Sequence, residues 1–212
     1  MINIPVASQI AIDDTRAWLE RAVIGLNLCP FAKGVHVKGQ VHYAVSSASG
    51  TETLLHDLEF ELKQLLALDA SARDTTLLIA PDCLGDFLDF NDFLAEADRV
   101  LVDLDLEGVL QIAPLHPLFQ FAGTADDDIT NYTNRSPYPT LHLLREDSID
   151  RAVAAFPNAE SIFEVNMQTM EQLGAAGWAA LGVGRSGGCP VLAADVAAPA
   201  PVQKAPHDPK EA

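Results

Sequence analysis

Apolar residues recur along the chain with two spacings, one near 3.6 and one of 2, and the switches between them predict its elements. Trp18, Leu19, Ala22, Val23 and Leu26 share one helical face, with Asp13-Asp14-Thr15 as a start signal and Pro30 as a stop. That face predicts an N-terminal helix over residues 13–27. Val41 to Val45 reads as a strand. Ser49-Gly50-Thr51-Glu52 has the form of a capping box. The helix it opens would bury Leu54, Leu55, Leu58, Leu62, Leu65 and Leu66. Residues 75–80 form an apolar strand stopped by Pro81. Phe87, Phe90, Leu94, Ala97 and Leu101 then make the inner stripe of a second helix. Residues 108–113 predict a third strand, stopped by Pro114, and residues 140–144 a fourth. Between them, residues 115–139 lack periodicity and form a long loop. Asp147-Ser148 caps a helix with Ile149, Ala152, Val153 and Phe156 inward, and a last helix covers residues 159–173.

Strand, helix, strand, helix, strand is the rhythm of βαβ units. The expected fold is α/β: a single domain over residues 1–186, with a mixed, mainly parallel sheet of about four strands and flanking helices. An α+β two-layer sandwich is the alternative, because the fourth strand follows a loop and its direction is open. Residues 187–212 are rich in Ala and Pro and read as a disordered tail. Gly182-Val183-Gly184-Arg185-Ser186-Gly187 matches the dinucleotide fingerprint, but it follows a helix instead of a strand and reads as a flexible linker.

Composition narrows the function classes. The chain has 212 residues, 49% of them apolar, enough for a packed core without disulfides. Its formal net charge of −17 repels phosphate backbones, which argues against nucleic acid as a partner. No apolar run approaches the roughly 20 residues of a membrane helix. Met1 to Ile12 lack the basic start of a secretion signal, and Cys29, Cys83 and Cys189 form no C-x-x-C pair. A cytoplasmic protein with reduced thiols is expected. The acidic segment 82–107, with Arg99 as its one base, reads as a solvated helix face.

Ligands of open parallel sheets bind beyond the carboxyl ends of the strands. Here those ends lead to Pro81-Asp82-Cys83, to His116-Pro117 and, if the fourth strand is parallel, to Arg145-Glu146. The loop adds Gln120, Asp126, Asp127, Asp128, Asn131, Asn134, Arg135 and Ser136. His116 is a candidate general base, helped by Asp127 or Asp128, or else a histidine satisfying loop carbonyls. Arg135 suits a carboxylate or phosphate, or else clamps Asp127, Asp128 or Glu146 internally. Cys29 precedes Pro30, where a helix N-terminus would favour its thiolate; a buried thiol is the plainer reading. His142 shares a strand face with Thr140 and Leu144 and could bind a ligand or serve the core. No H-E-x-x-H, H-x-H or calcium-loop spacing supports a metal, and no cofactor is indicated.

Several motifs together carry a resemblance: Asn27-Leu28-Cys29-Pro30-Phe31-Ala32, Gln111-Ile112-Ala113, His116-Pro117 with Gln120-Phe121-Ala122-Gly123, and above all the run from Asn131 to Ser148. They resemble a bacterial and plant family catalogued as domain of unknown function 1415, over about residues 18–174. The resemblance implies no activity, cofactor or catalytic residue.

Two functions compete. In the first, an enzyme acts on a small polar or anionic metabolite. Arg135 and Arg145 orient it, Gln120, Asn131, Asn134, Ser136, His142 and Glu146 bind it, and His116, Asp127, Asp128 or Cys29 carries the chemistry. In the second, the same cleft holds a ligand or partner without catalysis. A third reading makes the loop a structural network. In the first two, His116, Arg145 or Glu146 and residues 127–136 should share one cleft.

Overall fold

A computed structural model of the chain describes residues 5–156 and 158–186. The predicted tail at 187–212 lies outside the described residues.

Four strands form one open sheet in the order β1-β2-β4-β3: β1 (Val41–Val45), β2 (Thr75–Ile79), β3 (Leu110–Leu115) and β4 (Thr140–Arg145). β1 and β2 pair in parallel, whereas β4 is antiparallel to both of its neighbours. Three strands therefore share a direction, and β4 returns between β2 and β3. The architecture is the expected α/β fold with a mixed sheet.

Side chains alternate across the strands, so each face has its own core. On one face lie Leu78, Leu110, Leu141 and Leu143. They are covered by α3 (Thr51–Ala67) through Leu54, Leu58, Leu62 and Leu65, and by α4 (Phe87–Asp103) through Phe90, Phe93, Ala97 and Leu101. The other face presents Leu77, Ile79 and Leu115 to α1 (Val6–Trp18) and the π-helix that continues it (Leu19–Ile24). Ala11, Trp18, Leu19, Ala22 and Val23 fill that layer. Helices thus cover both faces, which excludes the two-layer alternative.

The remaining elements are α2 (Ala32–Val37), a 3-10 turn at Ile129–Asn134, α5 (Glu146–Ala154), a 3-10 turn at Ala159–Ser161 and α6 (Ile162–Ala180). Among the described residues no helix is long and apolar enough to cross a membrane.

Several local expectations change. The first helix begins at Val6, behind Pro5, so Asp13-Asp14 lies inside it. Asp14 is buried there, accepting hydrogen bonds from Tyr138 Oη (2.7 Å) and the Ser186 amide (2.7 Å). Ser49 does not cap α3: the N-cap is Gly50, with no side-chain bond. Leu66 is exposed, as are Val153 and Phe156, so those stripes are narrower than predicted. Asp86 caps α4 through the amides of Leu88 (2.8 Å) and Asp89 (3.2 Å). β3 runs through Pro114 because it is an edge strand, where a missing N–H can face outward. α6 extends to Ala180 by kinking at Gly174, whose φ of 63° and ψ of 175° are open to glycine. Residues 182–186 are docked instead of behaving as a free linker. Arg21 Nη1 donates to the Gly182 carbonyl (3.0 Å), Arg185 Nη2 to that of Pro81 (3.2 Å), and Ser186 Oγ to Asp14.

Candidate functional site

The long loop is held by its own polar side chains. Asn131 is fully buried. Its Oδ1 accepts from the Phe121 amide (3.0 Å) and Thr124 Oγ1 (2.8 Å), while Nδ2 donates to the Ala125 carbonyl (2.8 Å). Arg135, also buried, donates from Nε to the Phe119 carbonyl (3.1 Å) and from Nη2 to that of Asp126 (2.6 Å). Its partners are backbone carbonyls, not the carboxylates of the clamp reading. Ser136 Oγ donates to the Tyr138 carbonyl (2.6 Å), and Gln120 Nε2 to that of Thr124 (2.6 Å). Asp128 is the N-cap of the 3-10 turn; the amide and hydroxyl of Thr130 hold its carboxyl below the usual range. Asp127 is exposed.

His116 closes this network. The Leu118 amide donates to Nδ1 (3.0 Å), which leaves Nε2 as the protonated nitrogen, donating to the Leu84 carbonyl (3.0 Å). Both nitrogens are spent, and burial pushes the pKa down. In this arrangement neither ring nitrogen has a lone pair open to take a proton from a substrate. Phe87 and Phe90 pack against it, with ring centres 5.4 and 5.0 Å away.

Arg145 and Glu146 do not join this cluster. Because β4 is antiparallel, Arg145 pairs with Leu110 at the start of β3, and His116 follows the end of that strand. The single shared cleft is therefore not formed. The Arg145 guanidinium instead caps the C-terminus of α3, donating to the carbonyls of Leu65, Leu68 (2.7 Å) and Arg73 (3.1 Å). Glu146 opens α5, its amide bonded to the Val109 carbonyl (3.0 Å).

The open space lies elsewhere, over the sheet face that α1 and the π-helix cover only in part. A cavity of about 660 Å³ runs from Val41 and Thr75, at the starts of β1 and β2, to Leu115 at the end of β3. Trp18, Leu19 and Val23 form one wall, α5 another through Ser148, Ile149 and Ala152, and Phe121 and Phe163 a third. Its volume falls in the range of ligand pockets.

His142 stands at the centre of the floor, opposite Leu77 on β2 and Ala113 on β3. Burial alone lowers its pKa to about 4. The ring is thus neutral at physiological pH, with one donor and one acceptor nitrogen. No described residue hydrogen-bonds it, so its polar edge faces the cavity. Gln111 lies diagonally across on β3 and also lines the space, with Thr133, Asn134 and Asn166. Asn166 Nδ2 donates to the Leu28 carbonyl (2.8 Å), which leaves its amide oxygen as an acceptor.

Of the residues singled out from sequence, the cavity gathers Cys29, Asn134, His142 and Arg145, the last already committed to α3. Cys29 lines the cavity but has no helix N-terminus: α2 starts at Ala32 with Phe31 as N-cap. Sequence reasoning missed Gln111, Thr133 and Asn166. For Gln111 a signal existed, a polar residue on the inward-facing register of an apolar strand. Among the described residues no group of three His, Cys, Asp or Glu side chains is placed to hold a metal ion.

No curated protein and no solved structure matches the chain. The family described as "Protein of unknown function (DUF1415)" matches residues 10–180, which span the sheet, the polar loop and every wall of the cavity, and the chain belongs to that family.

Proposed function

We propose that this protein binds a small molecule with a largely apolar body in the cavity over the sheet. The observation that carries the reading is His142: a neutral imidazole, without a hydrogen-bond partner among the described residues, on the floor of a largely apolar cavity. A ligand hydroxyl, carbonyl or amide would pair with its open donor or acceptor nitrogen. Gln111, Asn134 and Asn166 would supply the remaining polar contacts. The loop from His116 to Ser136 then serves as scaffold for one wall.

An enzymatic reading rests on a different observation. Cys29 lines the same cavity, so a thiol and an unprotonated imidazole face one bound molecule. Either way the site belongs in a reducing, cytoplasmic setting, as the free thiols of Cys29 and Cys83 suit. With a charge of −17, nucleic acid is not its partner in this reading.

Uptake of the neutral fluorophore N-phenyl-1-naphthylamine tests the proposal. The protein should enhance its emission saturably, and Ile149→Trp, which fills the cavity from α5, should abolish the enhancement while the fold is kept. Absence of uptake by the unmodified protein would sink the reading.

A further inference from the structure

The cavity does not end at α5. A groove of about 400 Å³ adjoins it, sharing Phe31, Val35, Asp74, Ser148 and Ala152 as common wall. The groove differs in chemistry from the cavity. It is lined by Lys38, at the C-terminal end of α2, and by Arg151, on α5. In a chain with 13 Lys and Arg against 30 Asp and Glu, two cations meeting at the mouth of an apolar cavity run against the overall charge. Neither belongs to an ion pair among the described residues.

Asp74 is the one acid lining the groove among the described residues, and it is already engaged. Ser148 Oγ donates to Asp74 Oδ1 (2.6 Å) and accepts from Arg151 Nη2 (2.9 Å). That relay ties Arg151 to the rim, while its remaining N–H groups and the Lys38 ammonium stay free to bind. Around the mouth the groove thus carries two positive charges and one negative, with Ser71 and Gln40 as neutral polar neighbours.

We infer that the ligand is an amphipathic carboxylate: its apolar body lies in the cavity above His142, and its charged head sits in the groove between Lys38 and Arg151. This inference rests on the cavity reading above and adds the charge of the ligand to it. A neutral occupant would leave both cations unused. An anion placed deeper would meet the apolar floor, where desolvation opposes charge. An apolar tail with a charged end matches the order of surfaces from floor to mouth.

Displacement of N-phenyl-1-naphthylamine by decanoate and by decanol at low ionic strength tests this. Decanoate should displace the probe at lower concentration than decanol. Replacing the exposed cations as Lys38→Gln and Arg151→Gln should each reduce that preference about two- to fivefold, the scale of an exposed ion pair. Salt at roughly 0.5 M should reduce it too, because the head is near solvent. Both side chains are exposed, so circular dichroism should report an unchanged fold. If the probe binds but the two competitors displace it equally, or the preference survives in the double variant, the carboxylate head is wrong and the cavity reading stands. If the probe does not bind the unmodified protein, both fall together.

Discussion

The guanidinium carbon of Arg135 lies 4.3 Å from the centre of the Tyr132 ring, inside the loop to which both residues belong. Stacked there and bonded to the carbonyls of Phe119 and Asp126, Arg135 ties the last part of that loop to its beginning and its middle. Arg135→Ala should therefore lower the unfolding free energy by about 3 kcal/mol, because hydrogen bonds from a buried charge are lost and two carbonyls go unpaired. Arg135→Lys should recover little, since an ammonium cannot reproduce the planar fork. Urea denaturation measures both. A loss below about 1 kcal/mol would return Arg135 to the list of ligand contacts.

His142 should make the fold sensitive to acid. Its pKa is about 4 in the folded protein against an ordinary 6.5. Between these values the unfolded chain binds a proton that the folded chain does not, so stability falls as the pH drops through this window. The full loss by pH 4 is about 3 kcal/mol. His116 and His42, also lowered by burial, act in the same direction. The share of His142 is therefore read as a difference: His142→Leu should flatten the stability profile between these pH values. An identical slope in the variant would show that the ring is not held neutral.

Gly174 and Gly34 should respond in opposite senses to alanine. Gly174 combines φ 63° with ψ 175°, a region closed to side chains, so Gly174→Ala should cost about 1–3 kcal/mol although no atom lies within 4 Å of the new methyl. Gly34 sits within α2 with equal space, and Gly34→Ala should stabilise by about 0.5–1 kcal/mol. Thermal melts of the two proteins check the sign.

Shortening the chain should show where docking ends. A protein ending at Leu181 loses both Ser186 bonds to the buried Asp14 and the contact of Arg185 with the Pro81 carbonyl. It should be less stable than one ending at Ser186 by about 2–3 kcal/mol, since a buried carboxylate is left with the Tyr138 hydroxyl alone among these partners. Tyr138, whose pKa burial and then the Asp14 contact push up to about 12, should stay un-ionised up to about pH 10 in such an assay. Equal stability of the two shortened chains would show that Asp14 needs neither contact.

What the sequence determined by itself was local. Period-2 and period-3.6 patterns placed β1, β2, β4, α3 and α4 close to their observed positions, because burial on one face needs no knowledge of the partner. They failed where a distant group intervened. Asp13-Asp14 resembled a helix start, yet Asp14 is an interior residue that waits for Tyr138 and Ser186, 124 and 172 positions away. Pro114 resembled a strand end, yet an edge position lets β3 continue through it.

The site was decided by tertiary structure. One reversal, β4 running antiparallel between β2 and β3, sends Arg145 to the opposite end of the strands from His116. The polar density of residues 120–136 is real, but most of its side chains bond the backbone of the same loop, which spacing along the chain cannot reveal. Along the strand His142 could equally have been a ligand contact or a core residue. Only the packing of α1, the π-helix, α5 and α6 around the sheet leaves space above it, and whether a buried polar group has a partner depends on atoms that sequence alone does not bring together.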